Sequence, residues 1–192
     1  MININKSTET ELKVMITKDE YNTFFSKAHN IYSQTNHYYK LNDNLCVRIR
    51  KINDKFFIQY KESNNTKELK ALKDKTEYSM DISETDYIII NNNPNCLYDY
   101  LGLKNDNKIK AEYKGTLETI RGHVTLDLKM PDMQIDLNKY NSNIDYELEW
   151  EIEKKQYKKA INILKKNNVD INNRITGVSK LKRLLESGIW VD

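Results

Sequence analysis

The sequence predicts an α+β protein built on a closed antiparallel β-barrel, with a charged lumen and with helices packed on its outer wall. Its strand-like runs alternate charged and apolar side chains, and residues two apart on a strand point to the same face. The acidic last strand has no local counter-charge, and basic strands elsewhere in the chain could face it across a closed barrel. No linker or repeat interrupts the pattern, and we expect one domain over residues 1–192.

The first strand-like run carries both signs of charge on one face. Glu9, Glu11 and Lys13 form an E-x-E-x-K pattern, while Leu12 and Val14 point to the opposite side. Two carboxylates and an ammonium group on one face are costly in a dry interior. They suit a wet cavity that holds a cation and an anion, but they also suit an ordinary solvated sheet face. This run alone favours neither.

The same alternation recurs along the chain, and this recurrence favours the cavity. Arg48 and Arg50 share one face of a predicted strand, and Lys61 faces away from large apolar residues on the next. In the last strand every odd position is acidic and every even position is large and apolar. These acids repel one another, so we expect basic strands to face them across a barrel. The alternating runs are residues 45–50, 56–61, 77–82, 134–137 and 145–153.

Helical patterns lie between and after the strands, and these helices are predicted to cover the apolar outer wall. A capping box at residues 17–20 begins the first helix, and apolar residues at helical spacing extend it to about residue 29. Pro94 and Ser179 fit helix starts, whereas Gly102 and Gly188 fit helix ends. The predicted helices are 18–29, 83–92, 94–102, 155–168 and 179–188.

Composition narrows the classes of function. The mean hydropathy is −0.79, and no apolar run approaches the roughly 20 residues that a membrane helix needs. The N-terminal segment lacks the apolar core of a signal peptide, and Cys46 and Cys96 are too few for a disulfide framework. We therefore expect a cytoplasmic protein without a membrane partner. A net charge of +3 does not indicate a nucleic-acid partner, and no glycine-rich nucleotide loop is present.

The ordered set of charged strands resembles the CYTH family, the triphosphate tunnel metalloenzymes, and within it the small bacterial triphosphatase branch. An E-x-E-x-K strand, an R-x-R strand and a lysine strand come first, and a terminal E-x-E strand closes the set. A C-terminal S-K-x-x-R segment also matches, and the resemblance covers nearly the whole chain. The matching residues are Glu9, Glu11, Lys13, Arg48, Arg50, Lys61, Glu77, Arg121, Asp136, Glu147, Glu149, Glu151, Lys180 and Arg183.

The resemblance implies a tunnel of about eight strands that binds a triphosphate substrate and Mg²⁺ or Mn²⁺. Arginine and lysine suit phosphate, and hard divalent cations prefer carboxylate oxygens. The implied phosphate ligands are Lys13, Arg48, Arg50, Lys61, Arg121, Lys180 and Arg183. The implied metal ligands are Glu9, Glu11 and Glu149. The implied catalytic residues are Lys13, Glu147 and Glu151, and further lumen positions are Glu77, Asp136 and His37.

One departure from the family pattern concerns the arginine strand. Many members have K-x-R there, whereas this chain has Thr119 two residues before Arg121. One phosphate-binding lysine is therefore either missing or supplied by a neighbour such as Lys110.

Three functions stay open at this point. The one we expect is metal-dependent hydrolysis of inorganic tripolyphosphate, which needs only charge complementarity. The second is a class IV adenylate cyclase, or a hydrolase of thiamine triphosphate or nucleoside triphosphates, each of which needs a pocket for an organic group. The third is a non-catalytic module that binds polyphosphate or RNA. The acidic last strand argues against the third, because it repels anions unless a metal intervenes. The sequence does not indicate an oligomeric state.

Overall fold

Eight antiparallel strands close into a barrel in the spatial order β1-β5-β4-β3-β2-β6-β7-β8. This confirms the predicted architecture. The computed structural model describes residues 4–42, 45–63, 72–105 and 109–187. The strands are β1 (Asn5–Met15), β2 (His29–Asn42), β3 (Leu45–Ile52), β4 (Lys55–Ser63), β5 (Leu72–Ile82), β6 (Glu112–Val124), β7 (Met133–Tyr140) and β8 (Asn143–Glu151).

Five α-helices accompany the barrel within the described residues. They are α1 (Lys18–Phe25), α2 (Glu84–Asn92), α3 (Leu97–Tyr100), α4 (Tyr157–Lys166) and α5 (Lys180–Ser187). Short 3-10 turns, Pro94–Cys96 and Lys154–Gln156, precede α3 and α4. None of these helices is long and apolar enough to cross a membrane.

The predicted helix boundaries are correct at some ends and wrong at others. The capping box of Thr17 and Glu20 begins α1 as expected. The extension to about residue 29 is wrong, because α1 ends at Phe25 and two tight turns carry the chain into β2. Those turns keep Ala28 against Gly122, so the apolar spacing survives without a helix. The range 94–102 is also shorter, and Gly188 lies outside the described residues.

Two apolar clusters hold the helices to the outer wall of the barrel. The first joins β1 and β8, through Leu12 and Trp150, to α1 and α4. Trp150 is fully buried, and its indole N–H donates to the carbonyl of Pro131 at 2.8 Å. The second cluster packs α2 and α3 on β2, β3, β4 and β5. The apolar alternate positions therefore lie outside, and the charged positions are left for the lumen.

Helix α5 packs against one end of the barrel rather than on its outer wall. Leu184 contacts a small cluster that includes Tyr38 and Leu117, both on the inner faces of their strands. The approach is close at Gly115, whose φ is +131°; an added Cβ there would lie 3.1 Å from Cδ1 of Leu184. Helix α5 thereby brings Lys180 into the lumen.

Candidate active site in the barrel lumen

The lumen encloses a cavity of about 380 Å³, and acidic and basic side chains from several strands line it. Because residues alternate along each strand, the charged positions of the sequence point inward together. Of the residues predicted for the site, those that line the cavity are Glu9, Glu11, Lys13, Arg48, Arg50, Lys61, Glu77, Arg121, Glu149, Glu151 and Lys180. Asp136 and Glu147 lie behind this lining and are fully buried.

Lys13 sits among three carboxylates where β1 meets β8. The register pairs Lys13 with Glu149 and Glu11 with Glu151 across the two strands. The ammonium nitrogen of Lys13 contacts Glu149, lies 3.2 Å from Glu11 and lies 3.6 Å from Glu147. Burial alone would lower the pKa of Lys13, but the surrounding carboxylates raise it far above its ordinary value. Lys13 is therefore a permanent cation at the closure of the barrel.

A second cation, Lys180, holds together the deepest acids. Carboxylate oxygens of Asp136, Glu147 and Glu149 lie within 4.8 Å of one another. The Lys180 ammonium is 2.8 Å from Asp136 and 2.9 Å from Glu149, and it also contacts Glu147. Burial tends to raise the pKa of Glu147, yet Lys180 and Lys13 lower it to about 2. An all-oxygen donor set of this kind fits a hard divalent cation.

Two of the arginines are already paired with acids. Arg121 donates two hydrogen bonds to Asp136, at 2.8 and 2.6 Å, and a third to Glu149 at 2.6 Å. Arg48 donates to Gln59 and, at 2.9 Å, to Glu77.

Arg50 differs from these arginines because it has no carboxylate partner among the described residues. Its Nε donates to the side-chain oxygen of Asn36 at 2.6 Å. Burial, together with the neighbouring Arg48 and Arg121, lowers the pKa of Arg50. A half-buried cation that contacts no carboxylate among the described residues is costly, so this position favours an anionic ligand.

The outer part of the lumen carries further ion pairs. Lys61 lies 2.6 Å from Glu9 and 2.9 Å from Glu77, and Lys75 lies 3.3 Å from Glu11. Lys75 was not predicted, although it stands two residues before Glu77 on the same face of β5, and this spacing is the signal that could have revealed it.

Glu151 stands at the exposed rim of the cavity, within 3.4 Å of the Gln134 amide. Burial and the nearby Glu9 raise its pKa. The pKa of Glu151 is therefore shifted in the opposite direction from that of Glu147.

Three residues lie away from the cavity. The prediction that His37 is a lumen residue is wrong: its ring contacts Thr116 at 2.7 Å and Tyr87 of α2 at 2.8 Å. The even-numbered residues around it on β2 face inward, so His37 faces the outer wall. Arg183 reaches Glu147 at 2.8 Å from behind the lining, beside Asp145. Lys110 is exposed and precedes β6, so it does not replace the missing strand lysine.

Comparisons with known proteins agree with this geometry. A family model described as the CYTH domain matches residues 7–183. A putative adenylyl cyclase from Hippeastrum, described as revealing a dominant triphosphatase activity, is 16% identical, with a TM-score of 0.74 over 95% of this chain and 97% of that one. A putative adenylate cyclase from Bacillus halodurans is 20% identical, with a TM-score of 0.70 over 93% and 97%. The PH1012 protein from Pyrococcus horikoshii is 17% identical, with a TM-score of 0.60 over 91% and 98%. The search of curated proteins gave no match. At these identities the structural likenesses establish the fold.

Proposed function

The chain belongs to the CYTH domain family, and on this basis we propose that it hydrolyses a triphosphate, most simply inorganic tripolyphosphate, inside the barrel with a divalent metal. The observation that carries this proposal is that the lumen has an arginine-rich basic side at β3 and, where β1 meets β8, an acidic side whose carboxylates surround Lys13 and Lys180. Arg48 and Arg50 extend from β3 on one side, and Glu11 and Glu149 extend from β1 and β8 on the other. A polyanion and a cation together satisfy both sides.

The basic side suits a chain of phosphates. A guanidinium group can donate two parallel hydrogen bonds to phosphate oxygens, and an ammonium group acts as a compact charge. Arg50 offers its charge directly because no acid in the described part of the chain contacts it, whereas Lys61 and Lys13 must exchange a carboxylate for phosphate. We therefore place the most tightly held phosphate beside Arg50.

The acidic side suits Mg²⁺ or Mn²⁺. Glu9, Glu11 and Glu149 would hold the ion, with Asp136 and Glu147 adjoining, and these residues supply only the oxygen donors that such ions prefer. A divalent ion bound there neutralises charge on phosphoryl oxygens and lowers the pKa of bound water.

Glu151 is a better candidate than Glu147 for orienting the attacking water and taking its proton. A general base works best when its pKa lies near the working pH. Glu147 is fully buried among cations that lower its pKa to about 2, after burial has acted in the opposite direction. The pKa of Glu151 is raised, and the side chain stands at the accessible rim. Lys13 points into the same lumen from β1 and would stabilise charge on the transferred phosphoryl group.

An organic triphosphate is the second candidate, and a surface cleft favours it. This cleft, of about 560 Å³, shares Tyr60 and Lys61 with the lumen and is also lined by Leu45, Leu101 and Leu103. Apolar side chains contribute nothing to the binding of inorganic tripolyphosphate, but they can pack against a ring that is attached to a triphosphate. Two of the similar structures are named as putative cyclases, which points in the same direction.

The experiment is a phosphate-release panel on tripolyphosphate, ATP and thiamine triphosphate, with Mg²⁺, Mn²⁺ or chelator, together with an assay for cyclic AMP. We expect metal-dependent release of phosphate from tripolyphosphate. A preference for ATP that Leu103→Ala abolishes, without loss of tripolyphosphate turnover, would instead favour the organic substrate. Binding that persists in chelator without any phosphate release, and that weakens steeply with salt, would identify a non-catalytic module.

A further inference from the structure

Gln34 is a buried residue on the inner face of β2 that lies behind the residues lining the cavity, and no step of the proposed reaction uses it. It lies on β2 two residues before Asn36 and four before Tyr38, so all three side chains point to the same inner face. Gln34 is only 2% exposed, and its amide nitrogen has no hydrogen-bond partner among the described residues. A buried donor without a partner costs folding free energy, and such a group therefore calls for an explanation.

The neighbouring buried amides are satisfied, so the unpaired donor is particular to Gln34. Asn36 donates to the carbonyl of Leu117 at 3.3 Å and accepts from Arg50 at 2.6 Å. Asn138 accepts from Thr119 at 2.7 Å and donates to Asp145 at 2.9 Å. Within the described ranges, Gln34 carries the one buried side-chain polar atom left without a partner.

The strand register places Gln34 between two guanidinium groups. On one side, β3 pairs Asn36 with Arg50, one step along the inner face from Gln34. On the other side, β6 pairs Tyr32 with Arg121, one step in the opposite direction. Both arginines are therefore diagonal neighbours of Gln34 on the lumen face, within reach of long side chains. They also interact electrostatically with each other.

We propose that Gln34 is a substrate-binding residue: when a phosphate oxygen is bound between Arg50 and Arg121, the Gln34 amide turns toward the cavity and donates its N–H to that oxygen. This role rests on the proposed function, because the ligand is the triphosphate chain. One phosphate oxygen would satisfy the unpaired donor, and its charge would compensate Arg50. A neutral donor suits this place: a third cation would repel both arginines, and a carboxylate would pair with Arg50 and exclude the substrate.

The test uses Gln34→Met, which keeps the length of the side chain and removes the donor. The proposal predicts that this variant is more stable than the wild type but binds tripolyphosphate more weakly. The melting temperature of the free protein should rise, because an unsatisfied buried donor is lost. The dissociation constant for tripolyphosphate, measured by calorimetry without metal, should rise about tenfold, because a hydrogen bond to a charged oxygen is lost. The KM should rise with it, more than kcat falls. Gln34→Glu should weaken binding further than Gln34→Met does.

Asn36→Leu is the matched control, because Asn36 is a satisfied buried amide on the same face. It should lower the melting temperature, as expected when two existing hydrogen bonds are broken. A Gln34→Met variant that melts lower, or that binds tripolyphosphate as tightly as the wild type, would overturn the role of Gln34 and leave the proposed function standing. A wild-type protein that binds no triphosphate would overturn both.

Discussion

Replacing Lys180 with methionine removes the cation that lies among the deepest acids. Its ammonium contacts Asp136, Glu147 and Glu149, and the lysine is 7% exposed. Methionine preserves most of the apolar stem, so the change is mainly one of charge. The three carboxylates then remain buried with less compensation, and the folded state should be destabilised.

The size of the effect follows from what remains around the acids. Removing one partner of a buried ion pair costs about 3–5 kcal/mol in free energy of unfolding. Because Lys13 still contacts Glu149 and Arg121 still binds Asp136, we expect a value near the lower end, about 3 kcal/mol at neutral pH. For a chain of this length that corresponds to a fall in melting temperature of about 6–12 °C.

The stability deficit of the Lys180→Met variant should also depend on pH, in a direction that follows from the pKa of Glu147. In the wild type, burial would raise the pKa of Glu147, but Lys180 and Lys13 lower it to about 2. A carboxylate with a lowered folded-state pKa stabilises the fold above its ordinary pKa of 4.5, and this contribution is lost as the pH falls toward about 2. Without Lys180 the pKa of Glu147 rises. Protonation therefore removes the buried negative charge of Glu147 at a higher pH in the variant than in the wild type. The deficit should therefore be smaller at about pH 3, which lies between these two pKa values, than at about pH 7.

The assay is denaturant unfolding of both proteins at these two pH values, with and without Mn²⁺. Mn²⁺ should stabilise the variant more than the wild type, because it can replace the missing charge. Lys182→Met is the matched control: Lys182 is exposed on the same helix and makes one weak pair with Glu186, so its loss should be within about 0.5 kcal/mol. A Lys180→Met deficit that is absent, or equal at both pH values, would refute the reasoning.

Four further predictions follow from the same geometry. Arg50→Ala should lower kcat/KM for tripolyphosphate about tenfold to a hundredfold, and Arg50→Lys should recover only part, because ammonium cannot make the paired contact; wild-type kinetics would contradict this. Glu11→Gln should weaken Mn²⁺ binding in calorimetry while the protein stays folded, and unchanged affinity would exclude Glu11 as a ligand. Glu151→Gln should lower kcat and flatten the acidic limb of the pH–rate profile while tripolyphosphate still binds; an unchanged profile would remove Glu151 from the chemistry. Gly122→Ala should cost about 1–3 kcal/mol in denaturant unfolding, since the new Cβ would lie 2.7 Å from that of Ala28; an unchanged midpoint would show that the turn between α1 and β2 can shift.

The barrel was predictable because the inward and outward faces differ so strongly in charge. Because side chains alternate between the two faces of a strand, Glu9, Arg48 and Lys61 could be assigned to one lumen without any knowledge of their contacts. Alternation along β2 places His37 on the outer face, whereas the family resemblance had assigned it to the lumen, and this explains the error. Strand periodicity therefore predicts which face of the sheet a side chain occupies, even where the resemblance assigned the residue to the other face.

Contacts between distant strands could not be read from the sequence. That no acid among the described residues contacts Arg50, whereas Arg121 binds Asp136 and Glu149, depends on the register of strands around the barrel. The unpaired amide of Gln34 depends on three strands at once. These are the features that decide where an anion binds, and they require three-dimensional coordinates.

The most direct test of the central claim is a crystal structure with tripolyphosphate and Mn²⁺, with the metal located by its anomalous signal. The account predicts phosphate oxygens against Arg48 and Arg50 and the Mn²⁺ signal beside Glu11 and Glu149, both inside the lumen. Tripolyphosphate bound on the outer surface, or Mn²⁺ bound away from these carboxylates, would contradict it.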